Sequence, residues 1–302
     1  MATLDSAYAT QYGSNIYMLS QQKGSVLRNH VTIETMKGEK RTFERIKPTT
    51  AIEVTSKYQE SPMIETQFDR RTVHGKTYAW GDMIDWGDDL NTLIDPSSSI
   101  VRAGGYALGR VIDDIIINGA FINEAYEGKD GLSTVAFPES QKIPVTVGGS
   151  GSNSGLNVPK LLEIRSRFGL ADIDLDDPEN EVYIAVTQRQ LDDLARSVDI
   201  SNKDYEIVRA LYEEKTDKLF GINFVRIGQQ RLPATSVSGG VSRMCPAWVK
   251  SGVVCVLPKE IEMTIGQRLE IMNNWYALGK MKAGATRLDD AKVLQVHCFE
   301  EA

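Results

Sequence analysis

The feature that most constrains the fold is a helical pattern of about 30 residues that begins at Asp95-Pro96. Aspartate is a favoured N-cap residue, and proline fits the first helical position. Apolar side chains then recur at helical spacing: Val101, Leu108, Val111, Ile112, Ile115, Ile116 and Ile122. At about 1.5 Å per residue, a helix over 96–127 is a rod of about 45 Å. The other segments must be arranged around this rod.

Three glycines lie inside this helical pattern, at Gly104, Gly105 and Gly109. Each costs about 1 kcal/mol of helix stability relative to alanine. We therefore expect neighbouring backbone to pack closely against the helix at these positions. The pattern ends before Gly128-Lys129-Asp130-Gly131, which predicts a turn.

The segment before the helix predicts extended structure without a core of its own. Residues 31–81 are rich in threonine and charge, with strand-like stretches at Arg41–Ile46, Ala51–Ser56 and Arg70–Trp80. A long hairpin of this composition cannot bury an apolar core and must lie on another surface. Residues 1–30 are polar and predict an arm. Within it, Tyr8, Tyr12, Ile16 and Leu19 indicate a short amphipathic helix.

Residues 132–256 alternate between strand and helix patterns. Gly148–Gly155 predicts an exposed flexible loop, and Asn157 caps a helix that contains Leu161, Leu162, Ile164 and Phe168. Thr187 and Gln190 form a capping-box pattern before a second helix, and a third is predicted near Asp204–Glu214. Strands are predicted at 181–186, 222–227, 247–257, 275–283 and 292–298. The chain is therefore predicted to be an α+β protein.

Charge and cysteine content narrow the functional class. Residues 1–80 carry 11 basic and 8 acidic side chains, a net +3, whereas residues 81–302 carry 23 and 33, a net −10. An acidic body argues against a dedicated DNA-binding protein, which needs a basic surface. The basic and acidic parts could instead attract each other between copies, or both could be solvated surface. No apolar stretch approaches the roughly 20 residues of a membrane span. Cys245, Cys255 and Cys298 predict buried, reduced thiols.

No motif predicts a catalytic, cofactor-binding or metal-binding residue. Asp172, Asp174 and Asp176 resemble the start of a calcium loop, but Asp177 stands where that loop needs glycine and Tyr183 where it needs glutamate. The acidic pairs Asp113-Asp114, Asp192-Asp193 and Asp289-Asp290 are adjacent, so on a helix their side chains point about 100° apart. His30, His74 and His297 are isolated. We expect no cofactor and no enzymatic activity.

Several segments, in their order, resemble the major capsid proteins of tailed bacteriophages, which have the Hong Kong 97-type fold. They are Tyr78-Ala79-Trp80 with Asp85 and Asp95-Pro96, then Ala107–Asp114, Asn223–Ile227 with Arg231-Leu232-Pro233, and Gly284–Asp289. The resemblance implies an N-terminal arm at 1–38 and an extended β-hairpin loop at 39–82. It implies a peripheral domain at 83–131 and 257–302 with a spine helix at 96–127. Residues 132–256 would form mainly the axial domain.

The resemblance also implies a function and partners. The chain would self-assemble as pentamers and hexamers into an icosahedral head that encloses double-stranded DNA without sequence-specific binding. It carries no long charged helical segment before the arm, so a separate scaffolding protein is implied, together with a portal and possibly a decoration protein. We expect it in the virion, after assembly in the host cytoplasm, with no membrane association.

Two other functions remain open from the sequence. The first is the shell protein of an encapsulin-like cellular compartment, which shares the fold. The second is an enzyme of unknown chemistry, which would need a convergent polar cluster that the sequence does not supply.

Overall fold

The structure is a computed structural model that describes residues 21–58, 60–61, 63–84, 96–128, 130–197, 218–271 and 274–301. The chain divides into two compact units. Unit 1 comprises Met1–Ser25, Thr77–Val111 and Lys259–Met281, and unit 2 comprises Val26–Lys76, Ile112–Pro258 and Lys282–Ala302. The predicted arm helix around Tyr8–Leu19 and the predicted helix at 204–214 lie outside the described residues.

The described elements are three α-helices, fifteen strands and several short helical turns. The helices are α1 (Pro96–Ile116), α2 (Val158–Leu170) and α3 (Gln188–Ser197). The strands are β1 (Thr32–Glu34), β2 (Lys40–Ile46), β3 (Phe68–His74), β4 (Lys76–Ile84), β5 (Ala125–Glu127), β6 (Ser133–Val135), β7 (Lys142–Ile143), β8 (Val182–Val186), β9 (Lys218–Leu219), β10 (Ile222–Arg226), β11 (Ala234–Val237), β12 (Gly240–Val249), β13 (Val253–Arg268), β14 (Asn274–Arg287) and β15 (Val293–Glu301). The α+β class predicted from the sequence is confirmed.

The long helix is present, but it ends earlier than the sequence predicts. After Ile116 the helix widens into one π-helical turn, Ile117–Ile122, and the backbone becomes extended at Asn123. The predicted end at 127 is wrong because residues 125–127 form β5, which pairs with β3 and with β6. Strand pairing of Tyr126 and Glu127 therefore outweighs their compatibility with a helix. The predicted N-cap, Asp95, lies outside the described residues.

Two of the three helix glycines allow close packing in unit 1. A Cβ at Gly104 would collide with the Trp80 ring, and a Cβ at Gly109 would lie 2.6 Å from the Cα of Gly24. The expectation is wrong for Gly105, because nothing lies within 4 Å of the position its Cβ would take. Gly105 lies one helical turn before Gly109 on the same side of the helix, so the open space beside it reflects where along the helix Gly24 approaches.

Unit 2 is built around a seven-stranded sheet with the order β7-β15-β12-β8-β10-β9, in which β11 adds to β12. Strand β15 pairs antiparallel with β12 from Gly240↔Glu301 to Trp248↔Val293. All five residues of β8 are buried. A second sheet in this unit has the order β2-β3-β5-β6.

The predicted Asn157 cap is present, and so is the Gln190 half of the predicted capping box. The Asn157 side chain accepts a hydrogen bond from the Lys160 backbone N–H at 3.0 Å, and α2 follows. The Gln190 side chain accepts one from the Thr187 backbone N–H at 3.0 Å before α3. Gly221, between β9 and β10, has φ +78°, a backbone conformation that favours glycine.

Two strand predictions need correction. Residues 51–56 are not a strand, because the ladder between β2 and β3 ends at Ile46↔Phe68 and no described strand lies beside them. The predicted strand at 247–257 is two strands separated by a 3₁₀ turn at Lys250–Gly252. In that turn, the Lys250 N–H bonds the Glu181 carbonyl at 3.0 Å and the Gly252 carbonyl accepts from Leu288 at 2.7 Å. These bonds to other segments hold the turn that separates β12, which ends at Val249, from β13, which begins at Val253.

The division into arm, extended loop, peripheral and axial domains stays a prediction. None of the helices in the described ranges is both long and apolar enough to cross a membrane.

Candidate functional site

The three histidines lie far apart in the fold and do not form a metal site. His30 ends a 3₁₀ turn, His74 ends β3 and His297 lies in β15. Burial, followed by the charges of two nearby lysines, lowers the pKa of His297 below its usual value. Within the described ranges, no three His, Cys, Asp or Glu side chains are grouped to hold a metal ion.

The acidic stretch near Asp172–Asp177 is arranged as a turn. The Asp174 carboxylate accepts a hydrogen bond from the Asp176 backbone N–H at 3.1 Å. The Asp174 backbone carbonyl accepts one from the Asn180 side-chain amide at 3.0 Å. Asp177 caps a short 3₁₀ helix by accepting from the Glu179 N–H at 3.0 Å. These hydrogen bonds within the segment are typical of a solvated acidic turn.

The adjacent acidic residues of α1 point in different directions, as helical geometry predicts. The Asp113 carboxylate accepts from the backbone N–H groups of Val26 and Leu27. Asp114 instead pairs with Arg231. The two carboxylates therefore have separate structural partners and do not act as a catalytic dyad.

Buried thiols and a buried lysine occupy the core of unit 2. All three cysteines are free and buried, and burial raises the pKa of Cys255 to about 12. The Lys160 ammonium donates to the carbonyls of Ser154, Gly155 and His297 at 2.7, 2.9 and 2.9 Å. Burial lowers the pKa of Lys160. Because it binds backbone on two segments, this lysine ties the base of the Gly148–Gly155 loop to β15.

The most distinctive surface of the chain is the extended hairpin of β2 and β3. The two strands pair from Lys40↔His74 to Ile46↔Phe68, and the Lys47 N–H bonds the Gln67 carbonyl at 3.0 Å. Beyond that bond, residues 48–66 form no helix or strand where they are described.

Large apolar side chains are exposed along this hairpin end, which we call the apolar strip. Seven of the seventeen exposed large apolar side chains among the described residues fall between 46 and 68, and Met63 is fully exposed. The strip consists of Ile46, Ile52, Val54, Tyr58, Met63, Ile64 and Phe68. Large apolar side chains exposed in such number along one segment are typical of a contact surface.

Ion pairs bind the base of the hairpin to unit 2, beginning with Arg45. Its guanidinium pairs with Asp69 across the hairpin and with Glu127 of β5 at 3.0 Å. It also donates to the Leu288 carbonyl at 2.7 Å. Burial raises the pKa of Asp69, but hydrogen bonds from Glu127, the Arg70 N–H and Arg45 outweigh it and hold that pKa below the usual value. Interaction with the Asp69 side chain, followed by burial, raises the pKa of Glu127.

Two arginines complete this arrangement. Arg71 is 1% exposed and donates to Asp290 at 2.5 Å, while Arg287 is fully buried and donates to the other Asp290 oxygen at 2.6 Å. Arg287 also donates to the carbonyls of Asn123 and Val135, each at 2.7 Å. The Nε and Nη1 atoms of Arg71 are buried without a hydrogen-bond partner.

We call these six residues the root cluster: Arg45, Asp69, Arg71, Glu127, Arg287 and Asp290. Three cations face three carboxylates, so the cluster is electrically balanced. Chemically it can hold the hairpin in one direction, and it offers no nucleophile or open ligand position. Sequence reasoning missed it, because its members come from four separate segments. The only local signal was the alternation of charged residues in the two strand patterns, with Arg45 in the first and Asp69 and Arg71 in the second.

The comparisons with known proteins agree on one family. Residues 4–300 match the model of a family described as phage capsid protein. A comparison with curated protein sequences finds no match.

Solved capsid structures share the fold. The capsid protein of Ralstonia phage GP4 superposes with a TM-score of 0.68 at 10% identity, covering 98% of this chain and 96% of that one. Cyanophage Pam1 gives a TM-score of 0.67 at 11% identity, with complete coverage of both chains. Mycobacterium phage Che8 gives 0.66 at 11% identity, covering 96% and 97%. At such identities the likeness shows the Hong Kong 97-type fold and no individual residue role.

Proposed function

Because this chain belongs to the phage capsid protein family and is a major capsid protein that forms the phage head, we propose that it assembles as pentamers and hexamers into an icosahedral shell. The match to a phage family favours this role over an encapsulin-like compartment. We propose further that the protein acts by assembly alone, without an active site. It is a component of the virion, and we propose that it assembles in the host cytoplasm.

The observation that carries the proposal is the apolar strip. Fully burying one large apolar side chain contributes about 1.5–3 kcal/mol, and the strip exposes seven of them. In a single subunit these side chains are exposed to solvent. A neighbouring subunit that covers them would bury their apolar atoms, so the hairpin is suited to hold copies together rather than to stabilise its own fold.

The root cluster supports the same role. A projecting hairpin can meet a neighbour in a regular shell only if it leaves each subunit in the same direction. Ion pairs from Arg45 and Arg71 to Glu127 and Asp290 join the hairpin to β5 and to the segment after β14. We propose that this cluster sets the direction of the extended loop.

The proposed partners follow from the function. We propose a separate scaffolding protein, a portal and possibly a decoration protein, and double-stranded DNA that is enclosed without sequence-specific binding. The net charge of −7 supports enclosure rather than recognition, because sequence recognition needs a basic surface. We also propose the predicted division into arm (1–38), extended loop (39–82), peripheral domain (83–131 and 257–302) and mainly axial domain (132–256).

The test is to make the apolar strip polar without changing the fold. In the variant Ile52→Ser with Val54→Ser, two exposed side chains lose their apolar atoms. The matched control is Glu53→Gln with Ser56→Asn, which alters polar residues of the same segment. Both proteins are produced with the phage's scaffolding protein, and particles are measured by light scattering and electron microscopy.

We expect the Ile52 and Val54 variant to stay folded, with an unchanged melting temperature, and to form few closed particles. The control should assemble normally. If the serine variant assembles as well as the control, the strip is not the surface that joins subunits. If the unchanged protein also remains monomeric, the shell function itself is contradicted.

A further inference from the structure

The segment at 26–36 is built into unit 2 although the sequence assigns it to the arm. Leu27, Val31 and Met36 are 0%, 3% and 5% exposed. Strand β1 pairs in parallel with β13 from Thr32↔Val254 to Glu34↔Val256. The chain therefore joins the body before the hairpin begins, well inside the range predicted for the arm.

Side chains from other elements hold this segment at several points. The Trp248 Nε1–H donates to the His30 carbonyl at 2.8 Å. The Thr32 hydroxyl donates to the Lys250 carbonyl at 3.2 Å. Both contacts involve the end of β12 and the turn after it, so they fix the middle of the segment.

Asp113 of α1 holds the first residues of the segment. Both oxygens of its carboxylate accept from the Val26 N–H at 3.1 Å, and one accepts from the Leu27 N–H at 3.0 Å. These N–H groups start the 3₁₀ turn Leu27–His30, whose N-cap residue, Val26, makes no side-chain capping bond. The first N–H groups of a helical turn have no acceptor within the turn. A buried carboxylate from 86 residues away in the sequence supplies it.

We infer that Asp113 is a positioning residue for head assembly, because it fixes the point at which the N-terminal part of the chain joins unit 2. The inference rests on the proposed shell function. In a shell, every copy must present this part of the chain from the same place, and a loosened attachment spreads it over a larger volume and lowers its effective concentration at the neighbour. Asp113 supplies that attachment by accepting from the backbone N–H groups of Val26 and Leu27.

Asp114 provides a matched control for this role. It is the next residue on the same helix and has the same side chain, but it pairs with Arg231 at a partly exposed position. Loss of one carboxylate charge from α1 is therefore common to Asp113→Asn and Asp114→Asn. Only the first change acts on the bonds to Val26 and Leu27: it replaces the charged acceptor by a neutral amide oxygen and turns an amide N–H toward the Val26 N–H.

The experiment is limited trypsin digestion of the full-length, unassembled subunit, with fragments identified by mass spectrometry. Cleavage after Arg28 requires the 3₁₀ turn to open, whereas Lys23 precedes the attachment and is exposed, so it serves as an internal reference. Bonds to a buried charged acceptor are worth enough that cleavage after Arg28, relative to Lys23, should rise at least about tenfold in Asp113→Asn. In Asp114→Asn it should stay within about twofold of the unchanged protein. Particle yield with the scaffolding protein is measured on the same variants and should fall only for Asp113→Asn.

Equal cleavage in the two variants would overturn the attachment. Faster cleavage with normal particle yield would overturn the role in assembly. If Asp113→Asn fails to fold, hydrogen exchange of the unchanged subunit decides: Val26 and Leu27 amides should be protected to the degree of Ile33 and Glu34, and unprotected amides would refute the inference. If the unchanged protein forms no particles at all, the shell function fails while the digestion still reports on Asp113.

Discussion

In the root cluster, removing the acidic partner of a buried ion pair should cost more stability than removing a basic partner. Asp290 bridges Arg71 and Arg287, whose side chains are 1% and 0% exposed. Asp290→Asn leaves Arg287 without the Asp290 carboxylate and leaves Arg71 with Glu127 at 3.9 Å. Arg71→Met instead removes one buried cation and leaves Asp290 bonded to Arg287. We therefore expect the loss of the acidic residue to cost more than the loss of the basic one.

The structure sets the expected magnitudes. Removing one partner of a buried pair costs about 3–5 kcal/mol. Because the Asp290 side chain is 25% exposed, we take the lower end, about 3 kcal/mol. Arg71 carries two buried nitrogen atoms without hydrogen-bond partners, and each such atom already costs about 1–3 kcal/mol. Methionine removes that cost and fills similar space, so Arg71→Met should destabilise by about 1 kcal/mol or less.

Calorimetry of the unassembled subunit measures the difference. At about 2 °C per kcal/mol for a chain of this size, Asp290→Asn should lower Tm by about 6 °C and Arg71→Met by about 2 °C. Glu44→Gln is the control, because Glu44 pairs with Arg70 on the same hairpin but is 63% exposed. It should change stability by less than about 0.5 kcal/mol. If Arg71→Met costs as much as Asp290→Asn, the cluster is not governed by the burial of unpaired cations and the reasoning is wrong.

Two further predictions concern helix packing and pH. Gly109→Val should destabilise the subunit by about 1–3 kcal/mol through overpacking against Gly24. Gly105→Val meets open space and should leave stability unchanged or raise it by less than about 0.5 kcal/mol, because valine is a better helix former than glycine. Equal melting of the two variants would contradict the packing. The pKa of His297 is lowered by burial from its ordinary 6.5, so its contribution to stability is complete above that pH and is lost as the pH falls below it. His297→Gln should therefore flatten the loss of stability as the pH falls below 6.5. Urea denaturation at each pH measures this, and an unchanged pH profile would show that His297 does not contribute.

The sequence determined those features whose physical signal is local. Apolar residues at helical spacing predicted the helix around Leu108 and Ile112, because one helix turn brings such residues to the same face. The caps at Asn157 and Thr187 were predictable because a cap and its partner lie within three residues. The hairpin of β2 and β3 was predictable as a segment too polar to bury a core. The resemblance of the whole chain to phage capsid proteins came from the order of such local signals.

Only the tertiary structure decided the features that depend on distant partners. The end of the long helix was set by pairing of Glu127 with Arg71 on β3. The open space beside Gly105 was set by where along the helix other segments approach. Apart from the local pair of Arg287 and Asp290, the contacts of the root cluster and that of Asp113 with Val26 join residues between 24 and 219 positions apart. A charged side chain has the same local pattern whether it is solvated or buried against a distant partner. Its role is set by the desolvation and pairing that folding imposes, so no reading of the neighbouring sequence could assign it.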